Sequence, residues 1–351
     1  MNIILISTVK SWGGVKTWTL SLTEYLCSQG HNTAIVCRKG DLLTTECKKR
    51  HLKCYSMRFG VDFSVISIWK FWCLFKAEST DIIITNISKG LRTAGIAAKL
   101  KGVRHINRLG AFTDLKINLK NRLLYSLFVD AVFVPSRVMY DYFYQYDFLR
   151  TKLRMFYNAI NVPPINIVSN PVTKFAVVAK LSKRKQVDKV ILAFNRIRDL
   201  PWKLYIGGFG PELESLQKLI RDLDLEKRIN ISGKKIEPTI FLRDKDAGIL
   251  YSASEPFGIA IIEYMAVSCA VIASRVGGIP EIIEHNIEGI LVDPQNSDEL
   301  EQAIRLLITD PRRREELIQK GHAKVKTSFD RKIIFPNIED ELLRIIRPSS
   351  D

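Results

Sequence analysis

Two glutamates, Glu255 and Glu263, are the side chains whose type and spacing point most directly to ligand chemistry in this sequence. The segment around them predicts a strand ending near Tyr251, then a turn and a helix. The first amides of a helix have no partner within it and lie at its positive end, so those of Gly258 to Ile261 could bind a diphosphate. Glu263, one helical turn further on, could accept both hydroxyl groups of a ribose. The alternative is that Glu255 caps the helix and Glu263 is a solvated or salt-bridged charge.

The run from Ser252 to Asp293 resembles the donor-site signature of family 4 glycosyltransferases, which have the GT-B fold and use nucleotide-sugar donors. The family's paired-glutamate motif is matched by Glu255 and Glu263, and its next motif, Gly-Gly-Ile-Pro-Glu, by Gly277 to Glu281. The resemblance extends over nearly the whole chain and is strongest from Phe175 to Asp293. It implies that Glu255 holds the hydroxyl groups of the sugar and that Glu263 binds the ribose.

The same resemblance assigns two lysines to the leaving diphosphate. Lys180 stands where the family usually has Arg, and Lys185 matches the usual Lys. A lysine is a point charge without the planar fork of arginine, so we expect function to be retained with altered geometry. The alternative is a solvated, lysine-rich loop.

Glycine turns and loop residues complete the implied donor site. Gly13 and Gly14, after the first strand, would let the backbone approach the sugar and diphosphate, and Lys234 lies in a loop whose backbone reads the base in relatives. The catalytic residues that the resemblance implies are Glu255, Lys185 and Lys180, and the donor-binding residues are Gly13, Gly14, Lys234, Phe257, Gly258, Ile259 and Glu263.

The sequence departs from the family pattern after the second glutamate and in the first half. Ser268 and Ala270 replace the usual Gly and Pro, which predicts a less tight turn between helix and strand. Relatives place a histidine at the end of the fourth strand of the first half, where this chain has Leu109 or a neighbour. His105 comes too early, so Arg108 is our candidate substitute, the alternative being a surface or acceptor-side arginine.

Strands alternate with helical stretches along the whole chain. The strand candidates are short, β-branched and almost continuously apolar, as expected for parallel strands buried on both faces. They are Asn2–Ser7, Thr33–Cys37, Asp81–Thr85, His105–Asn107 and Ala131–Val134, followed by Lys174–Ala179, Lys203–Gly207, Ile229–Ser232, Ala247–Tyr251, Ala270–Ala273 and Gly289–Val292.

A segment rich in Pro and Asn, residues 158–172, separates two comparable series of strands and helices. We therefore predict an α/β protein of the GT-B type, with two doubly wound Rossmann-like domains facing each other across a cleft. The predicted divisions are a basic acceptor-side domain at 1–165, a nucleotide-sugar-binding domain at 172–330, and a C-terminal helix at 331–351 that packs back toward the N-terminal domain. In doubly wound folds the ligands lie at the carboxyl ends of the strands.

Positive charge is concentrated in the first half. The net charge is +16, and residues 1–160 contain 24 Lys and Arg against 10 Asp and Glu, which indicates an anionic partner for this half. The stretch from Asp114 to Phe128 places leucines at helical spacing beside Lys116 and Lys120, and such a basic amphipathic helix can lie in a membrane interface. The alternative is a helix packed on its own sheet. The apolar stretch at 66–75 favours core packing.

Cysteine usage and hydropathy indicate a cytoplasmic protein. The six cysteines include no Cys-x-x-Cys pair, which favours reduced thiols. The most apolar window, Pro256–Ser274, contains Glu263 and is too short to span a membrane. Asp244 and Asp246 have the spacing of a metal motif but directly precede a buried strand. We therefore expect a metal-independent reaction without a cofactor, in which the nucleotide-sugar is a co-substrate.

These observations leave three functions open. The first is a retaining, hexosyltransferase-type enzyme, peripheral on the inner face of the cell membrane, with a lipid-linked, lipopolysaccharide or polysaccharide acceptor. The second is a soluble transferase that acts on a small molecule or protein. The third is a non-enzymatic nucleic-acid binder that uses the basic half. The chain has no recognisable nucleic-acid motif, so we expect no nucleic-acid partner.

Overall fold

The computed structural model contains two compact units. The first unit comprises residues 1–159 and 334–351, and the second comprises residues 160–333. The structure describes residues 1–9, 12–86, 90–167, 170 and 172–347.

Seven parallel strands form the sheet of the first unit, in the order β3-β2-β1-β4-β5-β6-β7. The central strands are buried along nearly their whole length, because helices cover both faces of the sheet. The strands are β1 (Asn2–Ser7), β2 (Asn32–Arg38), β3 (Cys54–Met57), β4 (Ile82–Asn86), β5 (Arg104–Arg108), β6 (Ala131–Val134) and β7 (Leu153–Met155).

Helices lie between consecutive strands along the chain, because parallel strands need a crossover connection. The amide of Asn121 donates to the Asn118 side chain at 2.8 Å, which caps the start of α5, and the Lys152 ammonium donates to the Val129 carbonyl just beyond its end. The helices are α1 (Gly14–Ser28), α2 (Leu42–Lys49), α3 (Val65–Ala77), α4 (Ile96–Lys101), α5 (Leu119–Phe128), α6 (Arg137–Tyr144) and α7 (Asp147–Arg150).

Six parallel strands form the sheet of the second unit, in the order β10-β9-β8-β11-β12-β13. Its core includes Phe194, whose ring centroid lies 5.0 Å from that of Phe175 and 4.7 Å from that of Trp202. The strands are β8 (Thr173–Val178), β9 (Trp202–Gly207), β10 (Ile229–Ile231), β11 (Ala247–Leu250), β12 (Ala270–Ser274) and β13 (Ile290–Val292). The helices are α8 (Val187–Arg196), α9 (Leu213–Asp222), α10 (Pro238–Leu242), α11 (Ile259–Ala266), α12 (Ser297–Thr309) and α13 (Pro311–Ser328).

The last helix, α14 (Arg331–Ile346), belongs mostly to the first unit. Its buried face, with Phe335 and Ile338, packs into the same core as β1 and α1. Glu339 accepts a hydrogen bond from the hydroxyl group of Tyr25 at 2.8 Å, and Arg154 pairs with Glu341 at 2.6 Å. Apolar burial and these polar contacts together fix α14 to the first unit.

The eleven strands predicted from the sequence are present, and the fold is the predicted doubly wound α/β arrangement in both units. The structure adds β3 and β7, which are the edge strands at opposite ends of the first sheet. Both are short and partly exposed, so they lack the continuous apolar run that reveals a central strand. Within the described residues no helix combines the length and the hydropathy that crossing a membrane would require.

The turn after α11 forms although Ser268 replaces the glycine of the family pattern. Ser268 adopts a left-handed conformation, with φ at 64°, which is costly for a residue that has a side chain. Its hydroxyl oxygen accepts a hydrogen bond from the Asn166 amide at 3.0 Å. This contact offsets part of the strain, so the chain turns here without glycine.

Candidate functional site

The start of α11 provides backbone donors at the carboxyl end of the second sheet. Gly258 precedes the helix with φ at 111° and ψ at 53°, and no side chain caps the helix. The Ile261 amide donates to the Gly258 carbonyl at 2.9 Å, so the prediction that it is unpaired is wrong. Within the described part of the chain, the amides of Gly258, Ile259 and Ala260 remain as donors for an anion.

The backbone of Glu255 is fixed by the glycine pair that follows β12. The Gly278 amide donates to the Glu255 carbonyl at 3.0 Å. Gly277 has φ at 54°, and a Cβ atom there would lie 1.9 Å from the same carbonyl oxygen. Only glycine permits both this conformation and this approach. The Gly-Gly-Ile-Pro-Glu motif therefore positions the predicted catalytic glutamate.

The side chains of Lys185 and Glu255 form an ion pair, although they are 70 positions apart in the sequence. Both are 12% exposed. Arg184 lies 3.5 Å from the same carboxylate, and its own carbonyl accepts a hydrogen bond from the Ala253 amide at 2.9 Å. The loop after β8 is thus bound to the loop after β11. Sequence reasoning missed Arg184, although it directly precedes Lys185.

Lys180 is not part of this cluster. Its side chain is exposed, and among the described residues it makes no ion pair. The backbone on either side of it packs against the glycine turn after β9. A Cβ atom on Gly208 would lie 1.9 Å from the Ala179 carbonyl oxygen, and one on Gly210 would lie 2.1 Å from that of Leu181. These glycines therefore fix the path of the loop that presents Lys180.

Glu263 lies one turn into α11 and is half-buried. Burial and, to a lesser extent, the nearby carboxylate of Glu237 together raise the pKa of its carboxyl group to about 8. Two hydroxyl groups donating to this carboxylate would favour its charged form. Hydroxyl groups bound at this position would therefore release a proton from Glu263.

Other predicted donor residues differ in what they can offer a ligand. The Phe257 side chain is buried, with its ring centroid 5.8 Å from that of Phe329, so we expect only its backbone to meet a ligand. Lys234 is exposed in the loop after β10. In that loop the Ser232 hydroxyl accepts a hydrogen bond from the Gly208 amide at 3.1 Å.

In the first unit, the predicted glycine turn leads directly into α1. Gly13 is exposed and extended, with φ at 171°, and a Cβ atom there would meet nothing within 4 Å. The first turn of α1, which starts at Gly14, has no side-chain cap. Lys16 is buried and pairs with Asp41 at 2.7 Å, a contact that sequence reasoning missed.

Three residues near the end of β5 have different environments. His105 is buried, and it hydrogen bonds Thr85 at 2.7 Å. Burial lowers the pKa of His105 to about 4, so it is a neutral core residue. Leu109 is fully buried. The Arg108 guanidinium donates to the Asn158 side chain at 2.6 Å and lies over Trp18, with its carbon 4.3 Å from the ring centroid.

The predicted basic helix is α5, which packs Leu124 and Tyr125 into the core and leaves its other leucines exposed. Lys116 and Lys120 are exposed, and so is Leu119, at 82%. On α3, Phe71 and Phe75 are buried, whereas Trp69 is 61% exposed. Core packing was therefore the right prediction for only one side of that helix, because its apolar residues occupy both sides.

Acidic, histidine and cysteine side chains are the usual protein ligands of metal ions. Across the residues that the structure describes, no group of three or more of them could hold a metal ion. Asp246 accepts hydrogen bonds from the Lys174 amide at 2.8 Å and the Asn170 side chain at 2.9 Å, so it joins β11 to the segment leading into β8.

The raised pKa of Glu263 predicts a pH-dependent stability. Below pH 4.5 this carboxyl group is neutral in the folded and unfolded states. Between about pH 4.5 and 8 only the folded state keeps the proton, so the free energy of unfolding falls as the pH rises. In Glu263→Gln the free energy of unfolding should fall by about 2 kcal/mol less than in the wild type over this pH range, after allowance for solvent screening. Melting curves at pH 5 and 9 test this, with the exposed Glu315→Gln as control. An equal decline in Glu263→Gln and wild type would contradict it.

Two protein-family models match the chain. The model described as "Glycosyl transferases group 1" matches residues 166–324, and "Glycosyltransferase Family 4" matches residues 12–162. Together they cover most of both units.

Curated relatives resemble parts of the chain. N-acetyl-alpha-D-glucosaminyl L-malate synthase of Bacillus anthracis is 35% identical over 132 residues, which cover 37% of this chain and 35% of that protein. The lipopolysaccharide core biosynthesis glycosyltransferase LpsD of Rhizobium meliloti is 31% identical over 169 residues, which cover 48% of this chain and 49% of that protein. The chain thus spans a third to a half of the length of these curated relatives.

Solved structures match the complete fold. Anabaena Alr3699/HepE, crystallised with UDP and glucose, superposes with a TM-score of 0.85 at 20% identity. The match covers 98% of this chain and 100% of that one. A glycosyltransferase from Rickettsia africae has a TM-score of 0.83 at 19% identity and covers 99% of this chain and 100% of its own. The likeness confirms the predicted fold class, GT-B with two Rossmann-like domains.

Proposed function

Because the chain belongs to the glycosyltransferases of group 1 and family 4, we propose that it is a hexosyltransferase that moves a sugar from a nucleotide-sugar to a glycan or glycolipid acceptor. The observation that carries this proposal is the convergence of Lys185 and Glu255 at the open start of α11, with Glu263 one turn further on. In this proposal Lys185 binds the diphosphate, Glu255 the sugar and Glu263 the ribose of the nucleotide-sugar.

Donor binding exchanges the partners of the ion pair. In the free protein the Lys185 ammonium neutralises the Glu255 carboxylate. A bound diphosphate would accept hydrogen bonds from the backbone amides at the start of α11 and draw Lys185 away from the glutamate, and Lys180 would add a second positive charge. Glu255 would then be free to accept hydrogen bonds from the sugar hydroxyls. The lysines and amides would stabilise the charge that grows on the leaving diphosphate.

The reaction proceeds with retention of configuration in this proposal, as the family resemblance implies. The acceptor hydroxyl attacks the anomeric carbon on the face from which the diphosphate leaves. The new carbon–oxygen bond forms as the bond to the phosphate oxygen breaks. The hydroxyl proton passes to an oxygen of the leaving diphosphate, which acts as the base.

We propose that amides and lysines supply enough positive potential for transfer to need no divalent metal. Activity is therefore expected to change less than twofold when the enzyme is assayed in excess EDTA. Restoring Mg²⁺ or Mn²⁺ should add nothing. A loss of activity in EDTA that returns with one of these ions would contradict this part of the proposal.

The acceptor is proposed to be lipopolysaccharide, polysaccharide or a lipid-linked glycan. The relative named for lipopolysaccharide core biosynthesis supports this class. The relative named as an L-malate synthase supports the alternative of a small acceptor. Family membership favours either enzyme over the nucleic-acid binder.

An exposed surface of the first unit supports peripheral contact with an anionic membrane at the cytoplasmic face. Leu119 and Leu123 are exposed on α5 next to the basic Lys116 and Lys120. Lys120 also joins α5 to the segment before α3, because its ammonium lies 5.0 Å from the ring centroid of Phe63. Exposed apolar residues flanked by lysines match a leaflet with an apolar interior and anionic head groups.

We expect the wild-type protein to sediment with vesicles that contain phosphatidylglycerol and not with pure phosphatidylcholine vesicles. Replacing both Leu119 and Leu123 by Ser should weaken sedimentation at least tenfold, because each buried leucine contributes about 1.5–3 kcal/mol. Ile240→Ser, an equally exposed position in the second unit, is the matched control. Failure of the wild type to bind anionic vesicles would favour the soluble alternative.

Radiolabelled nucleotide-sugars test the activity itself. UDP-, GDP-, ADP- and CMP-sugars are supplied with a bacterial lipid and lipopolysaccharide extract or with small water-soluble acceptors. Label that one donor transfers to the extract supports the proposal. Label found only in small products supports the soluble alternative, and no transfer from any donor argues against the enzyme.

A further inference from the structure

A row of polar side chains ends three neighbouring strands in the first unit. Asn86 of β4 pairs in register with Arg108 of β5. β1 and β4 pair as far as Ile6 and Thr85, so Ser7 follows one step later beside Asn86. Residues that alternate along a strand share a face, so these three side chains lie on the side of the sheet that α1 covers. We call Ser7, Asn86 and Arg108 the polar row.

Each member of the polar row has a buried side-chain atom without a hydrogen-bond partner in the described part of the molecule. These atoms are Ser7 Oγ, Asn86 Oδ1 and Arg108 Nη1. Isolated buried polar atoms of this kind are uncommon, because each costs about 1–3 kcal/mol. Here three such atoms lie on three adjacent strands, at the ends of strands that are otherwise apolar. This clustering indicates a place where a bound ligand completes the missing hydrogen bonds.

The charge of Arg108 makes the row selective for an anion. Its side chain is 5% exposed, and in the described part of the structure no carboxylate lies within ion-pair distance of it. Its hydrogen-bond partner Asn158 is neutral. Asp114, the nearby acid, instead accepts the amides of Gly110 and Ala111 at 2.7 and 2.9 Å. Burial lowers the pKa of Arg108 only to about 10, so it is charged at neutral pH.

The first turn of α1 adds positive potential beside this arginine. A Cβ atom on Gly110 would lie 3.4 Å from both Arg108 Nη1 and a methyl group of Val15, so the two are near neighbours. The first amides of α1 have no side-chain cap. A buried guanidinium next to the positive end of a fifteen-residue helix lowers stability unless an anion joins it.

We propose that the polar row is an acceptor subsite that binds an oxyanion, the carboxylate or phosphate of an acidic acceptor. Arg108 Nη1 donates to the anion, while Asn86 and Ser7 hydrogen bond to adjoining hydroxyl groups. The assignment of this anion to an acceptor rests on the proposed function. The anion subsite itself lies within the first unit and can be tested without transfer.

Melting temperatures in inorganic phosphate or malonate at constant ionic strength test the subsite. Either anion at about 10–50 mM, a concentration near the Kd of a weak anion site, should raise the melting temperature of the wild type by at least 2 °C. We expect Arg108→Met to melt at the same or a higher temperature without ligand and to lose the anion-induced shift. Arg108→Lys should retain part of it. Arg104→Met, on the same strand with an exposed ion pair to Asp130, is the matched control and should keep all of it.

Lys185→Met separates this subsite from the donor site. A phosphate shift that persists in Lys185→Met and disappears in Arg108→Met supports the subsite, even if no nucleotide binds and the proposed function fails. A larger shift with phosphate identifies a phosphate-bearing acceptor, and a larger shift with malonate identifies a carboxylate. No shift in the wild type, or an undiminished shift in Arg108→Met, would overturn the inference.

Discussion

Replacing Glu255 by Gln is expected to lower the kcat of sugar transfer at least 1,000-fold, which corresponds to about 4 kcal/mol of transition-state stabilisation. Glutamine has the same shape but no charge, so it accepts weaker hydrogen bonds from the sugar hydroxyls. The same change should tighten nucleoside diphosphate binding several-fold. Lys185 would no longer have its strongest competitor for the phosphates.

Steady-state transfer assays and calorimetric titration of the nucleoside diphosphate measure these opposite effects. Glu315→Gln, at an exposed position on α13, should change neither. The combination of lost turnover and tighter binding is specific to the ion-pair exchange. A Glu255→Gln enzyme with normal turnover would refute the role of this glutamate, and weaker nucleotide binding would refute the exchange.

Gly277→Ala should reduce transfer more than 100-fold, although residue 277 need not touch any ligand. Its added Cβ would meet the Glu255 carbonyl oxygen at 1.9 Å, so the backbone of Glu255 has to move. A displacement of about 1 Å at a reacting group is enough for a loss of this size. We also expect a loss of about 2–4 kcal/mol in stability, because strain at positive φ adds to the clash.

Gly30→Ala separates the clash from the backbone strain. Gly30 has φ at 81°, and a Cβ atom there would meet nothing within 4 Å. It should therefore cost only about 1 kcal/mol and leave transfer unchanged. Equal effects of the two substitutions on transfer would show that the glycine pair does not position Glu255.

Sequence reasoning located the sheets because their strands are almost uniformly apolar, and it located α11 because a recognisable motif surrounds it. It did not find the ion pair of Lys185 with Glu255, since that contact depends on how two loops 70 residues apart meet. Phe257 shows the converse limit. It lies inside the motif, yet its side chain serves the core by packing on Phe329.

The polar row illustrates why some site residues cannot be found from spacing. Ser7 and Asn86 are single polar residues at the ends of apolar strands, where polar residues are common. Their significance arises from strand register, which places them beside Arg108. Only Arg108 was singled out, through the family position that it occupies.

The central claim is that the second unit binds the diphosphate of a nucleotide-sugar at the start of α11. Its most direct test is the melting temperature of the wild type and Lys185→Met with saturating UDP, GDP, ADP or CMP. At 100 times Kd a ligand stabilises the folded state by about 2.7 kcal/mol. We predict that one nucleoside diphosphate raises the melting temperature of the wild type by several degrees and that of Lys185→Met far less. No shift with any of them, or equal shifts in both proteins, would contradict the claim.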